Sequence, residues 1–434
     1  MNRTLAALAV VAAIADAGAA RANGRYPQAN QLVARPGDPS RLALRTTFGV
    51  LLSRDAGAHW DWVCESAAGY GGMQDPSLGV TGGGSVMAGT YQGLSVSTSE
   101  GCAWSMAGGA LDKAFVADVV VSPDAPATSL VVTSTYQGSD GGSTVQSNVL
   151  ARSTDDARTF APVGAPIDPS VLLLTVELAR GAPGRVYLSG VRSPGTSQVS
   201  GVLLVSDDGG AQWTERAIPL VSSTERGVYI AAVDRQSPDR LWARTSGPGA
   251  TRLLVSDDAG KTWRAIFQGA GALLGFALSD DGAREWVGGP VDGLRAASTA
   301  DHAFAQTSDV GVECLTAIGA ALWACTVPSP TVPFVLGAST DDGRTFTPKL
   351  ALSDVRGPLA CPKGSSVDVC AADWPGLADL LKVPRDAGAA DAGPTVTPRA
   401  GCSCDAAPAS GAGAGAALAL AAVALLARRR RPSA

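Results

Sequence analysis

Short apolar segments alternate with polar turns along most of the chain. Residues 228–267 and 115–163 show the pattern most clearly. Runs of this length, rich in β-branched and aromatic residues and bounded by turn-forming residues, are typical of β-strands. The predicted strands are 228–234, 240–245, 252–256 and 262–267 in the first stretch and 115–122, 130–135, 147–153 and 159–163 in the second. The chain is therefore predicted to be all-β.

One turn motif of the form Ser-x-Asp-x-Gly-x-Thr-Trp recurs seven times, with its first serines 41 to 56 residues apart. An aspartate side chain in such a turn accepts hydrogen bonds from nearby backbone N–H groups, and the glycine adopts a positive φ. The copies begin at Ser53, Ser97, Ser153, Ser206, Ser256, Ser298 and Ser339. The aspartates expected to hold these turns are Asp55, Asp155, Asp208, Asp258 and Asp341. Ser99 and Ala300 stand in the aspartate position of the second and sixth copies.

These turns resemble the Asp-box, or BNR, repeat of sialidase-like propellers, and the resemblance extends over about residues 31–350. The repeat is also similar to that of photosystem assembly factors and of sorting-receptor ectodomains. A single blade cannot bury both faces, so repeats of this kind close into a ring. Seven repeats predict a seven-bladed β-propeller of four-stranded blades over residues 23–350. Residues 31–35 are expected to close the ring.

The two ends of the chain carry processing signals. Residues 1–22 combine Arg3, an apolar run from Leu5 to Ile14 and an Ala-Arg-Ala site, which is typical of a cleaved signal peptide. A retained membrane helix is the alternative. A disulfide-held appendage is predicted at 351–382 and is expected to cover one side of the last blade. Residues 383–400 are rich in alanine, glycine and proline and are expected to form a flexible linker.

Residues 401–434 hold Cys402 and Cys404, an apolar run over 411–427 and four consecutive arginines. This segment resembles the myxobacterial C-terminal sorting tail. The resemblance implies processing near Cys402, with Cys404 as a second candidate, and display at the cell surface. A plain tail anchor, with the arginines on the cytoplasmic side, is the alternative. In either case the body is expected outside the cytoplasm.

Six further cysteines form an even set, which favours disulfides in an exported protein. Cys314 and Cys325 are symmetric about a two-residue turn, so they are expected to pair across a hairpin. Cys361 and Cys370 are spaced in the same way, which leaves Cys64 and Cys102 to pair by elimination. The spacings do not match a zinc site, and no metal is expected.

The formal net charge of −5 argues against a nucleic-acid partner. The chain has only two histidines, His59 and His302, and both lie in the recurring turns, so Ser–His or Cys–His nucleophile chemistry is not expected. The glycine-rich stretches lack the lysine and helix of a phosphate loop, and no cofactor is predicted. A monomer is expected.

Glycoside hydrolysis is the main enzymatic alternative, because it needs only two carboxyl groups. Glu177 and Asp118 lie on predicted innermost strands and are the candidate pair. They are alternatively polar residues that line a solvated channel. The arginine motif of sialidases is not matched, since the nearest string is Arg25-Tyr26-Pro27.

The favoured function is a non-catalytic, surface-displayed propeller that recognises a protein or a glycan. In related propellers the Asp-box turns lie opposite the functional face. The ligand is then expected on the connections between second and third strands and on those leading into each innermost strand. Aromatic, amide and guanidinium side chains on these connections predict a site at Tyr91, Gln92, Tyr136, Gln137, Arg192, Arg226 and Tyr229. The alternative is that Tyr91 and Tyr136 only pack against blade edges.

Overall fold

Seven sheets, each built on four antiparallel strands, are arranged as the blades of a β-propeller. The computed structural model describes residues 25–140, 143–194, 198–221 and 223–384. The expected signal peptide, linker and C-terminal tail, with Cys402 and Cys404, lie outside the described residues. Within the described part, each blade is formed by four consecutive strands. The all-β, seven-bladed prediction is confirmed.

The strands of the first four blades have the following bounds. Blade one comprises β1 (Ala29–Arg35), β2 (Asp38–Thr46), β3 (Gly49–Ser53) and β4 (Trp60–Val63), and blade two β5 (Ser77–Val80), β6 (Val86–Thr90), β7 (Gly93–Ser97) and β8 (Ser105–Met106). Blade three comprises β9 (Val116–Val121), β10 (Ser129–Asp140), β11 (Ser143–Ser153) and β12 (Ala161–Pro162), and blade four β13 (Val171–Leu178), β14 (Val186–Arg192), β15 (Ser200–Ser206) and β16 (Thr214–Ile218).

The last three blades follow the same order. Blade five comprises β17 (Gly227–Val233), β18 (Leu241–Ser246), β19 (Arg252–Ser256) and β20 (Arg264–Gln268), and blade six β21 (Gly275–Leu278), β22 (Arg284–Gly289), β23 (Gly293–Ser298) and β24 (Ala305–Ser308). Blade seven comprises β25 (Val312–Ile318), β26 (Ala321–Thr326), β27 (Leu336–Ser339) and β28 (Thr347–Leu350).

The ring closes between the innermost strands of blades one and seven. Strand β1 lies beside β25, and the hydroxyl of Thr316 donates to the carbonyl oxygen of Leu32 at 3.1 Å. Every blade is complete in itself, so no strand is exchanged at the junction. The N-terminal strand therefore lies at the point of closure, where the sequence placed it.

The hydrophobic core is divided among the spaces between blades. Leu203 of blade four, for example, lies in one buried cluster with Ile230 and Leu254 of blade five. Blade faces are therefore buried by neighbouring blades, as expected of sheets that cannot bury both faces alone.

The connections between third and fourth strands of five blades have one geometry, and we call them the serine–aspartate turns. In blade five, the hydroxyl of Ser256 donates to Asp258 Oδ1 at 2.8 Å, and the Gly260 N–H donates to Ser256 Oγ at 2.7 Å. The Thr262 N–H donates to Asp258 Oδ1 at 2.8 Å. Equivalent bonds form at Ser53/Asp55, Ser153/Asp155, Ser206/Asp208 and Ser339/Asp341.

The two departures from the motif behave differently. In blade two, Ser99 takes the place of the aspartate, and its hydroxyl oxygen accepts the Ala103 N–H at 2.8 Å. In blade six, the His302 N–H instead donates to the Ser298 carbonyl oxygen at 2.9 Å. In blade two, a serine oxygen thus accepts the backbone N–H that the aspartate accepts in the other blades.

The C-terminal appendage crosses back to the first two blades. Strand β29 (Val355–Pro358) pairs in parallel with β4 at the outer edge of blade one. It is followed by helix α1 (Cys370–Leu381), whose Trp374 lies against Trp62 with ring centroids 5.7 Å apart. Short 3-10 helices span Gly109–Leu111, Leu352–Asp354 and Ser366–Val369. The expectation that the appendage covers the last blade is wrong.

Three disulfides are present in the described residues. Cys314 is bonded to Cys325 across β25 and β26, as predicted. The other expected pairs are wrong, because Cys64 is bonded to Cys370 and Cys102 to Cys361. Residues 361–370 do not form a hairpin, since a 3-10 helix leads directly into α1. The two cysteines therefore bond to blades one and two instead of to each other.

Candidate functional site

A funnel of about 840 Å³ opens at one end of the central channel. It is lined by the starts of the innermost strands and by connections between second and third strands, such as the one that holds Ser246 and Gly247. The serine–aspartate turns connect third to fourth strands, at the opposite ends of the blades. The funnel thus lies on the face where the sequence placed the ligand.

A second cavity, of about 320 Å³, lies at the other end of the innermost strands. It shares Phe276 and Leu315 with the funnel and is lined at its far end by Glu177 and Arg180. The two cavities are therefore the two mouths of one channel.

Blades one and two form a wall in which the arginines are already engaged. Arg25 forms an ion pair with Asp75 at 2.8 Å. Arg45 donates to Asn30 Oδ1 at 2.6 Å and to the carbonyl oxygen of Pro76 at 3.3 Å. Because Arg45 is buried, its pKa is lowered, although nearby Asp75 opposes the shift. These arginines join the two blades.

Tyr91 projects from the connection between the second and third strands of blade two and is 56% exposed. The buried side chain of Gln74 supports the connection: its Oε1 accepts the Tyr91 N–H at 2.9 Å, and its Nε2 donates to Gln92 Oε1 at 3.1 Å. The Tyr91 ring packs against Phe115 with centroids 5.3 Å apart. A rigid, exposed aromatic surface results at the rim of the funnel.

Blades five to seven form the opposite wall. Tyr229 and Arg244 are directly opposite each other on β17 and β18, and both line the funnel. Burial lowers the pKa of Arg244 to about 10. Phe276 of blade six and Glu313 of blade seven complete this wall. Burial raises the pKa of Glu313.

The two candidate catalytic carboxyl groups lie on neighbouring innermost strands, β9 and β13, and line two different cavities of the channel. Asp118 lines the funnel, where its Oδ1 accepts the Ser77 hydroxyl at 2.6 Å and its Oδ2 accepts the Val176 N–H at 3.1 Å. It therefore connects blades two, three and four. Glu177 lines the second cavity, where burial, reinforced by the charge of Asp118, raises its pKa to about 8.

Of the seven predicted ligand-binding residues, the structure brings Tyr91 and Tyr229 to the funnel. Gln92 supports the funnel rim through Gln74. Arg192 lies outside the funnel and is paired with Asp168 at 2.7 Å and with Glu215. Arg226 also lies outside it and donates to the carbonyl oxygen of Glu225 at 2.9 Å.

Tyr136 and Gln137 lie on an extended hairpin, because β10 and β11 reach well beyond the strands predicted at 130–135 and 147–153. Strands β10 and β11 remain paired from Ser129 with Ser153 to Asp140 with Ser143. Beyond Thr133, β10 no longer pairs with β9. Tyr136 is consequently 60% exposed, and its hydroxyl contacts Ser139 Oγ at 3.1 Å. This hairpin is a second exposed feature on the rim of blade three.

Sequence reasoning missed Arg244, Glu313 and Phe276. Glu313 and Phe276 lie on innermost strands, and Arg244 lies near the end of a second strand. A charged residue in an otherwise apolar predicted strand was the signal that could have identified Arg244 and Glu313.

The buried pair of Glu285 and His302 lies in blade six, away from the funnel lining. His302 Nδ1 is 2.6 Å from Glu285 Oε1. Burial, with the charges of Arg264 and Arg240, lowers the pKa of His302 to about 4. His302 is therefore neutral at pH 7 and occupies the place of the serine–aspartate turn in this blade.

Among the described residues, no group of three or more histidine, cysteine, aspartate or glutamate side chains is arranged to hold a metal ion. In the same part of the chain, no helix combines the length and apolar character needed to cross a membrane.

Comparison with solved structures gives the fold. An ancestral GH74 enzyme matches 75% of this chain with a TM-score of 0.55 and 13% identity, and the match covers 46% of that enzyme. The chain thus spans about half the length of this neighbour. At this identity, the likeness shows a shared propeller fold.

Two structures of YCF48 are also similar. YCF48 from Cyanidioschyzon merolae matches 70% of this chain and 94% of its own, with a TM-score of 0.48 and 14% identity. YCF48 bound to a D1 peptide matches 70% of this chain and 91% of its own, with a TM-score of 0.45 and 14% identity. No protein-family model and no curated protein matches the sequence.

Proposed function

We propose that this protein is a non-catalytic binding module that receives a protein or glycan ligand in the funnel. The observation that carries the proposal is the wide funnel, whose walls hold Tyr91, Tyr229, Phe276 and Arg244 on a closed ring of blades. Exposed aromatic rings and arginines on a rigid scaffold are enriched where proteins recognise partners.

The state of the candidate carboxyl groups supports binding over catalysis. Asp118 uses both oxygens to accept hydrogen bonds from neighbouring blades. Glu177 lines the second cavity, whereas Asp118 lines the funnel. A glycosidase places its two carboxyl groups on either side of one glycosidic bond. The ligand-binding proposal needs neither group to react.

A glycoside hydrolase is the second candidate, and Glu177 is the observation that favours it. A carboxyl group with a pKa of about 8 is protonated at neutral pH, as a general acid must be. The resemblance of the fold to a GH74 enzyme is compatible with this candidate. Substrate would then have to reach the channel between Glu177 and Asp118.

We further propose that the serine–aspartate turns are Asp-box turns and that the protein is displayed at the cell surface. The shared hydrogen bonds of five turns support the first proposal. Three disulfides support export, since such bonds persist in oxidising compartments. Anchoring by the C-terminal tail rests on the sequence resemblance alone.

The proposed function is tested by comparing two tyrosine variants for binding to immobilised glycans and peptides. The purified protein is applied to a glycan array and to a peptide array, and Tyr91→Ala is compared with the matched control Tyr136→Ala. Both tyrosines are more than half exposed, but only Tyr91 lines the funnel. We expect Tyr91→Ala to lose binding and Tyr136→Ala to retain it. The opposite result would place the site on the extended hairpin.

Chromogenic glycosides test the second candidate. Release of chromophore by the wild-type protein, and its loss in Glu177→Gln, would establish a hydrolase and reject the binding module as the whole function. We expect no release.

A further inference from the structure

Two charged side chains on the wall formed by blades five to seven lack a partner of opposite charge. They are Arg244 on β18 and Glu313 on β25. The other charged groups of the funnel are engaged, since Arg25 is paired with Asp75, Arg45 is bonded to Asn30, and Asp118 accepts two hydrogen bonds. Arg244 and Glu313 are therefore the groups on which a charged ligand can act.

Arg244 is held in place but is not neutralised. Its Nη1 donates to the carbonyl oxygen of Leu273, which fixes the guanidinium against blade six. Its Nε is buried without a hydrogen-bond partner, and no described carboxylate lies within ion-pairing distance. A half-buried guanidinium that lacks both a counter-ion and a partner for its Nε is costly, and a bound carboxylate would offset that cost.

Glu313 presents the opposite charge. It is partly buried near the start of the innermost strand of blade seven, and it makes no hydrogen bond or ion pair with another described residue. Its neighbour Cys314 is fixed by the disulfide to Cys325. The carboxyl group is thus positioned at the wall by a constrained strand, and it offers only acceptors when ionised.

The surface between these two charges is apolar. Blade six separates blade five from blade seven in the ring, and it contributes Leu274 and Phe276 to the funnel, while blade seven contributes Leu315. Leu274 is 38% exposed, while Phe276 and Leu315 are mostly buried and reach the funnel lining with the remainder of their surface. Along the wall from blade five to blade seven, a cation is therefore followed by apolar side chains and then by an anion.

We propose that this wall binds a peptide segment in which an acidic and a basic side chain flank an apolar one. The acidic side chain pairs with Arg244, the apolar side chain lies on Phe276 and Leu274, and the basic side chain pairs with Glu313. The inference rests on the proposed function and narrows its ligand to a protein. A neutral glycan would leave both charged groups without a partner while removing them from water.

Synthetic heptapeptides provide the probe. The panel consists of fluorescently labelled, acetylated and amidated peptides with one aspartate, one phenylalanine or leucine and one lysine, in both orders and with one or two glycines between them. Matched peptides carry asparagine for aspartate or glutamine for lysine. Affinities are measured by fluorescence anisotropy with the full-length protein. For the best peptide, we expect each neutral replacement to weaken binding about tenfold or more, as for charge-assisted hydrogen bonds.

Single substitutions assign each charge to its partner. In Arg244→Gln, we expect the preference for aspartate over asparagine to disappear while the preference for lysine over glutamine is retained. Glu313→Gln should give the reverse. Arg244→Lys keeps the charge and should retain part of the aspartate preference. Arg356→Gln, which breaks an exposed ion pair with Asp61 at the edge of blade one, is the matched control and should change neither preference.

Folding is checked by the melting temperature and by the intact disulfides of each variant. Equal affinities for charged and neutral peptides, or preferences that survive in both Gln variants, would overturn the inference. Glycan binding that depends on Tyr91, without peptide binding, would overturn the inference but leave the proposed function intact. If no peptide or glycan binds in a way that depends on funnel residues, both the inference and the proposed function are rejected.

Discussion

Cys64, which directly follows the last strand of blade one, is bonded to Cys370, the first residue of helix α1 and 306 positions later in the chain. The Cys64 N–H also lies 3.1 Å from the Cys370 sulfur. The end of the folded body is thereby fixed to its beginning. Together with Cys102–Cys361, this bond supplies a covalent closure of the ring that the blades themselves do not provide.

Replacing both Cys64 and Cys370 by serine is expected to destabilise the protein more than replacing both Cys314 and Cys325. The second bond closes a loop of 11 residues, for which loop-closure entropy gives about 3 kcal/mol. With Cys102–Cys361 intact, the first closes a loop of about 50 residues, which gives about 4 kcal/mol. Denaturant unfolding of the two double variants measures the difference. Peptide mapping of the unreduced wild-type protein should recover Cys64 with Cys370, and a peptide that joins Cys361 to Cys370 would contradict the structure.

Gly260→Ala is expected to destabilise the propeller markedly. Gly260 has φ +86°, and a Cβ there would overlap the Leu203 side chain of the preceding blade. Gly319→Ala is the matched control, since Gly319 has φ +59° with open space around it and so carries only the backbone cost, about 1 kcal/mol. Melting temperatures should fall more for Gly260→Ala. Equal shifts would show that the contact between blades is unimportant.

Acid should weaken the serine–aspartate turns. Hydrogen bonds from the Thr262 and Thr345 N–H groups and hydroxyls hold the pKa of Asp258 and that of Asp341 down to about 2. A carboxyl group whose pKa is lowered by folding stabilises the native state above its unfolded pKa, and this stability is lost as the pH falls through the folded value. The free energy of unfolding should therefore decline between about pH 4 and pH 2. In Asp258→Asn, the decline should be smaller, as measured by urea unfolding across this range.

Glu177→Gln is expected to reduce the loss of folding stability between pH 5 and 8.5. The folded pKa of about 8 lies above the ordinary value of 4.5 for a glutamate, so the stability linked to this group is complete below about pH 4 and is lost as the pH rises through 8. The wild-type protein should thus lose stability from pH 5 to 8.5, and the Gln variant should lose less. A parallel pH dependence of the two proteins would show that water in the channel solvates the Glu177 carboxylate.

Much of the architecture could be predicted because each blade repeats one local pattern. The turn at Ser256 to Trp263 fixes where a third strand ends and a fourth begins, and its repetition gives the number of blades. The pairing of Cys361 could not be predicted from spacing, because spacing describes a local hairpin, whereas residues 366–381 are helical and bring their cysteine to a different blade.

The face on which the funnel opens was predicted better than the residues that line it. Tyr91 and Tyr229 line the funnel, because connections and innermost strands meet there. Arg192 matches the same composition rule, yet Asp168 and Glu215 already neutralise it. Whether an arginine has a partner depends on contacts between distant segments, so Arg244 could be distinguished from Arg192 only in the folded protein.

The disulfide between Cys370 and Cys64 has a mechanical consequence. A pull on the C-terminal end of the described chain first reaches helix α1, whose Cys370 is covalently held by Cys64. The load therefore enters the side of blade one and bypasses β28, the outermost strand of blade seven, which would otherwise be peeled off one hydrogen bond at a time. A propeller tethered by this end would stay folded, with its funnel unchanged, under a force that would separate the strands of a ring without this disulfide.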